Sequence, residues 1–262
     1  MNSSAPALLD LQNIQVLRGG KVVLDDFDLR IHANEHVAIL GPNGCGKSTL
    51  IKTITRECYP VVREGSRISI LGRERWNVFE LRTLLGIVSN DLMAWCNPEA
   101  VGLDVVLSGF FSSSHLFPNH LLRPGQRELA ERILAQLEVL HLAERPVCEM
   151  SSGEAKRILI ARALVHQPQA LLFDEPSNSL DFYAQNGLRQ TMSRLANSGI
   201  GIILVTHDLA DIVPEINRVV LMSKGRIVAD GGKEEMLQAE PLSKLFGMKV
   251  EIGRRDGYYH LW

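Results

Sequence analysis

The chain has 262 residues, of which 45% are hydrophobic and 22% charged, the make-up of a soluble globular protein with one large α/β core and room for a small subdomain. A net charge of -2 gives no sign of an obligatory nucleic-acid partner. Residues 1–13 lack the cationic stretch and apolar core of a secretion signal, and the most apolar runs, 170–173 and 200–205, fall far short of the ~20 residues of a membrane-spanning helix; if the protein acts at a membrane, another chain supplies the span.

Residues 8–16 and 22–31 alternate loosely between apolar and polar, which predicts two strands joined by a turn at Gly19-Gly20. Val37, Ala38, Ile39 and Leu40 form a wholly apolar run, as in a parallel strand covered on both faces, and it leads straight into Gly41. Further strands are expected at 68–71 and 86–88. From 91 to 150 the character changes. Leu129, Ile133, Leu137 and Leu140 recur at helical spacing and predict a helix over 126–140. A second helix is expected over 101–111, and Ser112-Ser113-Ser114 and Pro118-Asn119 mark loops. This stretch reads as a mostly helical insertion at about 91–150. Strands and helices then alternate: helix 153–166 before Pro168, strand 170–173, helix 181–196 with Gly199 past its end, and strands 200–205 and 219–222. Lys224-Gly225 and Asp230-Gly231 are turn signals. Asp256-Gly257, followed by Tyr258, Tyr259 and Trp262, predicts a small hairpin in the extension 248–262. The expected fold is α/β, a single domain over 1–262. Cys45, Cys58, Cys96 and Cys148 form no CxxC pair or zinc-like spacing, so reduced cytosolic thiols are expected.

Three segments carry chemistry. Gly41-Pro42-Asn43-Gly44-Cys45-Gly46-Lys47-Ser48 fits the P-loop pattern, with Thr49 next, between an apolar strand and a predicted helix. Glycines let the backbone wrap phosphate oxygens, and the N–H groups at the helix start point at the anion. Lys47 supplies a charge for the β- and γ-phosphates, and the Ser48 hydroxyl is a magnesium ligand. Leu171-Leu172-Phe173-Asp174-Glu175 is an apolar strand ending in two acids; a cation compensates such carboxylates. Asp174 is expected to hold magnesium, and Glu175 to polarise the attacking water. Met150-Ser151-Ser152-Gly153-Glu154 opens a basic amphipathic helix and makes a second anion site. One chain does not readily bring both phosphate sites to one nucleotide, whereas a head-to-tail pair of chains does.

In this order and combination the sequence resembles the ABC (ATP-binding cassette) ATPase family, over roughly residues 8–231. Met150 to Glu154 is similar to the family signature, with Ser for its first Gly and Glu for its Gln. Ser177-Asn178-Ser179-Leu180-Asp181 is similar to the D-loop, and residues 202–208 to the strand that ends in the switch histidine, here His207. The resemblance implies a P-loop NTPase with a mainly parallel sheet, an antiparallel β subdomain and a helical insertion. It also implies ATP and magnesium as bound groups, a γ-phosphate contact from His207, and Ser151, Ser152, Gly153, Glu154 and Asp181 at the nucleotide of a second copy or a homologous ATPase. Two positions depart from the pattern. Arg18 stands where an aromatic usually stacks on adenine; it is read either as a guanidinium that stacks on the base or as a solvated charge. Asn90 stands where a metal-contacting Gln is usual, one methylene shorter.

The favoured function is the ATP-hydrolysing subunit of a membrane transporter, similar to importer ATPases for metal chelates and molybdate. It would be peripheral on the cytoplasmic face of the membrane and partnered by integral-membrane permease subunits. Val105 to Phe111, with Phe117, then either line the groove for the permease or form subdomain core. The alternative is a soluble ABC ATPase doing mechanical work on a protein or ribosome.

Overall fold

The computed structural model describes residues 7–89 and 97–262. The chain divides into two compact units, Met1–Leu81 with Gly201–Trp262, and Arg82–Ile200. The first unit opens with β1 (Leu9–Arg18), β2 (Lys21–Ile31), β3 (His36–Leu40), α1 (Lys47–Ile54) and β4 (Arg67–Ile70), and α2 (Val78–Leu84) carries the chain out of it. The second unit holds β5 (Leu85–Val88), α3 (Gly102–Ser108), α4 (Gln126–Gln136), α5 (Ser152–Leu164), β6 (Ala170–Asp174) and α6 (Phe182–Asn197). The chain then returns to the first unit with β7 (Gly201–Thr206), β8 (Arg218–Ser223), β9 (Arg226–Gly232), α7 (Lys233–Met236), α8 (Ala239–Phe246), β10 (Ile252–Arg255) and β11 (Tyr258–Leu261).

In the first unit β1 lies between β2 and β4, antiparallel to both. Its alternation is loose for a physical reason. Leu9 and Leu11 are buried, and then Ile14 and Val16; one extra residue resets the pattern at a register shift, with Asn13 at φ 49, as a β-bulge requires. The neighbouring strands run in the order β7, β3, β8, β9. β3 is parallel to β7 and β8, and β9 returns antiparallel. The wholly apolar residues 37–40 are fully buried here, as a strand flanked on both edges and faces must be. Three hairpins, at Gly19-Gly20, Lys224-Gly225 and Asp256-Gly257, have both turn residues at positive φ, the mirror-image turn that matches strand twist. The Asp230-Gly231 signal predicts a turn. It lies inside β9 instead, opposite Val219 and Val220, and Arg218 binds the Asp230 carboxylate at 2.8 and 2.6 Å. That ion pair engages the side chain that would otherwise cap a turn.

In the second unit β5 and β6 are parallel. The unit is wider than the helical insertion expected at 91–150, since it also contains β5, β6, α5 and α6. α4 stops at Gln136, short of the expected 140. Glu138 is at φ 61, and the N–H groups of Val139 and Glu138 return to the carbonyls of Leu134 and Ala135 at 2.8 and 3.0 Å, the pattern of a Schellman stop. No described helix is long and apolar enough to cross a membrane, and no disulfide joins the described cysteines.

Candidate functional site

The first unit holds the P-loop and His207. Leu40 and Thr206 stand in parallel register at the ends of β3 and β7, so the chain leaves the two strands side by side: Gly41 after one, His207 after the other. Gly41 donates its N–H to the Thr206 carbonyl at 3.4 Å. Carboxyl ends of parallel strands are where open α/β sheets receive ligands. Gly44 at φ 76 and Gly46 at φ 111 turn the loop as only glycine does at ease. Gly46 is the N-cap residue of α1 and has no side chain with which to cap it, so the first-turn N–H groups can serve an outside anion. The Lys47 ammonium lies over the loop's own carbonyls, 2.8 Å from Gly41 O and 3.1 Å from Pro42 O. Asn43, Gly44 and Ser48 are exposed, while Cys45 and Thr49 are buried.

His207 leaves the sheet in a rigid turn. The Thr206 hydroxyl accepts the Asp208 N–H at 3.0 Å and bonds the Asp211 carboxylate at 3.1 Å, and Asp208 Oδ1 accepts the Ala210 N–H at 2.9 Å. Arg18 sits exposed at the tip of the first hairpin, opposite Lys21. Like charges held opposite one another are unfavourable, which suits a tip that meets a ligand.

The second unit holds the acids and the signature-like helix. Phe173 pairs with Val88, and Asp174 ends β6. Glu175 follows at φ 42, a left-handed conformation uncommon outside glycine, Asn and Asp. Asn178 donates its side-chain amide to Glu175 Oε2 at 2.6 Å and its N–H to the Glu175 carbonyl at 3.2 Å, so the carboxylate is aimed. Asn90 lies outside the described residues.

Ser151 caps α5 in a closed capping box. Its N–H and its hydroxyl both donate to Glu154 Oε2 at 2.8 Å, and the Glu154 N–H returns to Ser151 Oγ at 3.3 Å. The Ser151 N–H, then its hydroxyl, hold the Glu154 carboxyl below its ordinary range. A carboxylate of the chain itself therefore stands at this helix start, and a phosphate arriving there meets Ser152, Gly153 and a helix end already partly satisfied. Gly153 lies so close to α6 that a Cβ would be 2.8 Å from Ala184. Asp181 caps α6 by accepting the Ala184 N–H at 2.8 Å. Val105, Val106 and Leu107 are core, which settles that reading for them against groove lining. Phe110 and Phe111 do line a cavity of about 630 Å³, with Leu121, Val165 and His166.

Sequence reasoning misses three contributors. Asn178 was read only as part of a loop. Met222 and Gly225 press on the P-loop from the far end of the chain, and nothing in a two-residue turn signal advertises that. The donors suit magnesium. No cluster of three or more His, Cys, Asp or Glu exists among the described residues, and this cation is usually held by one or two side chains, waters and substrate phosphates instead of a protein cage. The Ser48 hydroxyl of the first unit and the Asp174 carboxylate of the second are each, taken alone, an oxygen donor of the type that cation accepts.

Comparison with known proteins agrees in scale and type. The family described as ABC transporter matches residues 24–178. The chain is 31% identical over 252 residues to the ABC transporter ATP-binding protein YlmA of Bacillus subtilis, covering 94% of this chain and 93% of that protein. It is 31% identical over 261 residues to the hemin import ATP-binding protein HmuV of Pseudomonas aeruginosa, covering 97% and 98%. The fold is similar to that of CbiO1 of Clostridium perfringens, part of the ABC transporter complex CbiONQ, with a TM-score of 0.76 and 27% identity over 91% of this chain and 94% of that one.

Proposed function

The chain belongs to the ABC transporter family, and from that premise we propose that it hydrolyses ATP as a sandwich of two copies, or with a homologous ATPase, to drive an importer-type permease. The observation that carries this reading is the P-loop: left-handed Gly44 and Gly46 lead into a helix with no capping side chain. The loop N–H groups and the start of α1 hold the β- and γ-phosphates, and the Lys47 ammonium leaves the carbonyls of Gly41 and Pro42 for phosphate oxygens. Ser48 and Asp174 would hold magnesium, which would supply positive charge against those oxygens. Glu175, braced by Asn178, takes the proton of the water whose oxygen attacks the γ-phosphorus as the bond to ADP breaks. His207 holds the γ-phosphate, and Asn90 supplies an amide to the water. Ser151, Ser152, Gly153, Glu154 and Asp181 of the second copy close the site, and Arg18 stacks on the base.

The permease docks at the cavity lined by Phe110 and Phe111, on the cytoplasmic face. The names of HmuV, a hemin import protein, and of CbiO1, part of a transporter complex, support a membrane partner. Glu175→Gln tests the proposal. Removing the base is expected to slow hydrolysis by about 100-fold or more while ATP still binds, so the variant accumulates as an ATP-bound dimer in size-exclusion chromatography. A variant that stays monomeric and hydrolyses at the normal rate overturns both the base and the sandwich.

A further inference from the structure

The phosphate cradle rests on the turn between β8 and β9. Gly225 donates its N–H to the Cys45 carbonyl at 2.8 Å, and the Gly225 carbonyl accepts the Asp25 N–H at 3.1 Å. A Cβ on Gly225, which sits at φ 77, would lie 2.1 Å from the Val23 carbonyl oxygen, so no other residue fits without moving the turn. The Asp25 carboxylate is bound in turn by Arg226 and, at 2.9 Å, by Gln15. Met222 completes the floor: its carbonyl oxygen stands 2.3 Å from where a Cβ of Gly41 would be, and its methyl 2.9 Å from that of Gly46.

The bond to Cys45 has a directional consequence. A trans peptide is planar, with its C=O and N–H on opposite edges. Fixing the Cys45 carbonyl on Gly225 therefore fixes the Gly46 N–H on the other side of the loop, away from the turn. Among the described residues no acceptor meets that N–H, although Gly46 is buried and buried N–H groups are normally paired. We propose that Gly225 is a positioning residue for nucleotide binding, holding the Cys45–Gly46 peptide so that the Gly46 N–H is presented to a phosphate. This rests on the reading that nucleotide phosphates occupy the P-loop.

Linkage makes the effect reciprocal: if the Gly225 bond favours phosphate binding, bound phosphate favours the bond. The test is amide exchange of the wild-type protein labelled with [15N]glycine, with and without ADP and magnesium. Exchange of the Gly225 amide is expected to slow at least about tenfold, with Gly247, at the end of α8, unchanged as the reference. Unchanged Gly225 exchange in protein shown by titration to hold ADP overturns the proposal. Failure to bind ADP in that same titration sinks the nucleotide reading itself. Gly225→Ala adds a kinetic readout: KM for ATP rises about tenfold, the worth of one charge-assisted hydrogen bond, with kcat within about twofold. A folded Gly225→Ala protein with wild-type KM also overturns the proposal, and if that variant does not fold, the wild-type exchange decides.

Discussion

Ser151 has two tasks at the start of α5: it caps the helix and it holds the Glu154 carboxylate. Because the Glu154 carboxyl lies below its ordinary value of 4.5, chiefly through the Ser151 N–H, it contributes stability above pH 4.5 that is lost as pH falls through its lower folded value. Ser151→Ala removes the hydroxyl but keeps the N–H. The expected result is a loss of about 1 kcal/mol in urea unfolding, and a Glu154 carboxyl that titrates closer to 4.5 by carbon NMR. An unchanged titration would mean that the hydroxyl contributes nothing to the box. Glu175 shows a different economy. Its left-handed φ of 42 is accompanied by two local bonds to Asn178, three residues on.

Elements were legible where periodicity and end signals agreed, and illegible where only three-dimensional context decided. The P-loop, the acid pair and the order of segments were readable because they are contiguous, and β3 was readable because every residue in it after His36 is apolar. The end of α4 was not. Its stop places Glu138 in a left-handed conformation at φ 61, where a glycine or asparagine would have been the visible signal, and Leu140, expected on the buried face, is 45% exposed in the turn beyond. Glu138→Gly should therefore stabilise the protein by about 0.5 kcal/mol, relief of backbone strain exceeding the entropy added to the unfolded chain. The lost surface pair with Arg194, exposed on both sides, offsets little of this. A lower urea midpoint in the variant would contradict the account. Asp230-Gly231 failed as a turn signal for the converse reason: its side chain is taken by Arg218, a residue twelve positions earlier, which no local pattern displays.

Across the whole molecule each unit carries a histidine whose ring is held below its ordinary value of 6.5 by burial: His36 at the start of β3 and His166 just past α5. Well above pH 6.5 both are neutral folded or unfolded and cost nothing. Below it the unfolded chain takes up protons that the folded chain resists, so stability falls as pH drops from 6.5 towards the lower folded values. Urea midpoints measured at about pH 7.5 and about pH 5.5 should differ in that direction, and His166→Gln, which retains a donor for the Gly109 carbonyl bonded at 3.0 Å, should flatten the dependence. An equal slope in the variant would assign the effect elsewhere. The chain's Asx-Gly pairs carry a consequence for its chemical ageing. A glycine nitrogen readily attacks the preceding side-chain carbonyl to give a cyclic imide, provided the backbone can bend. Asp230-Gly231 is locked in β9 with its carboxylate engaged, and so is protected. Asn43-Gly44 is exposed at the mouth of the phosphate cradle, among the residue types least durable on heating. Deamidation there would put a new negative charge where phosphates arrive, so stored protein would fail first at the nucleotide site, well before its fold gives way.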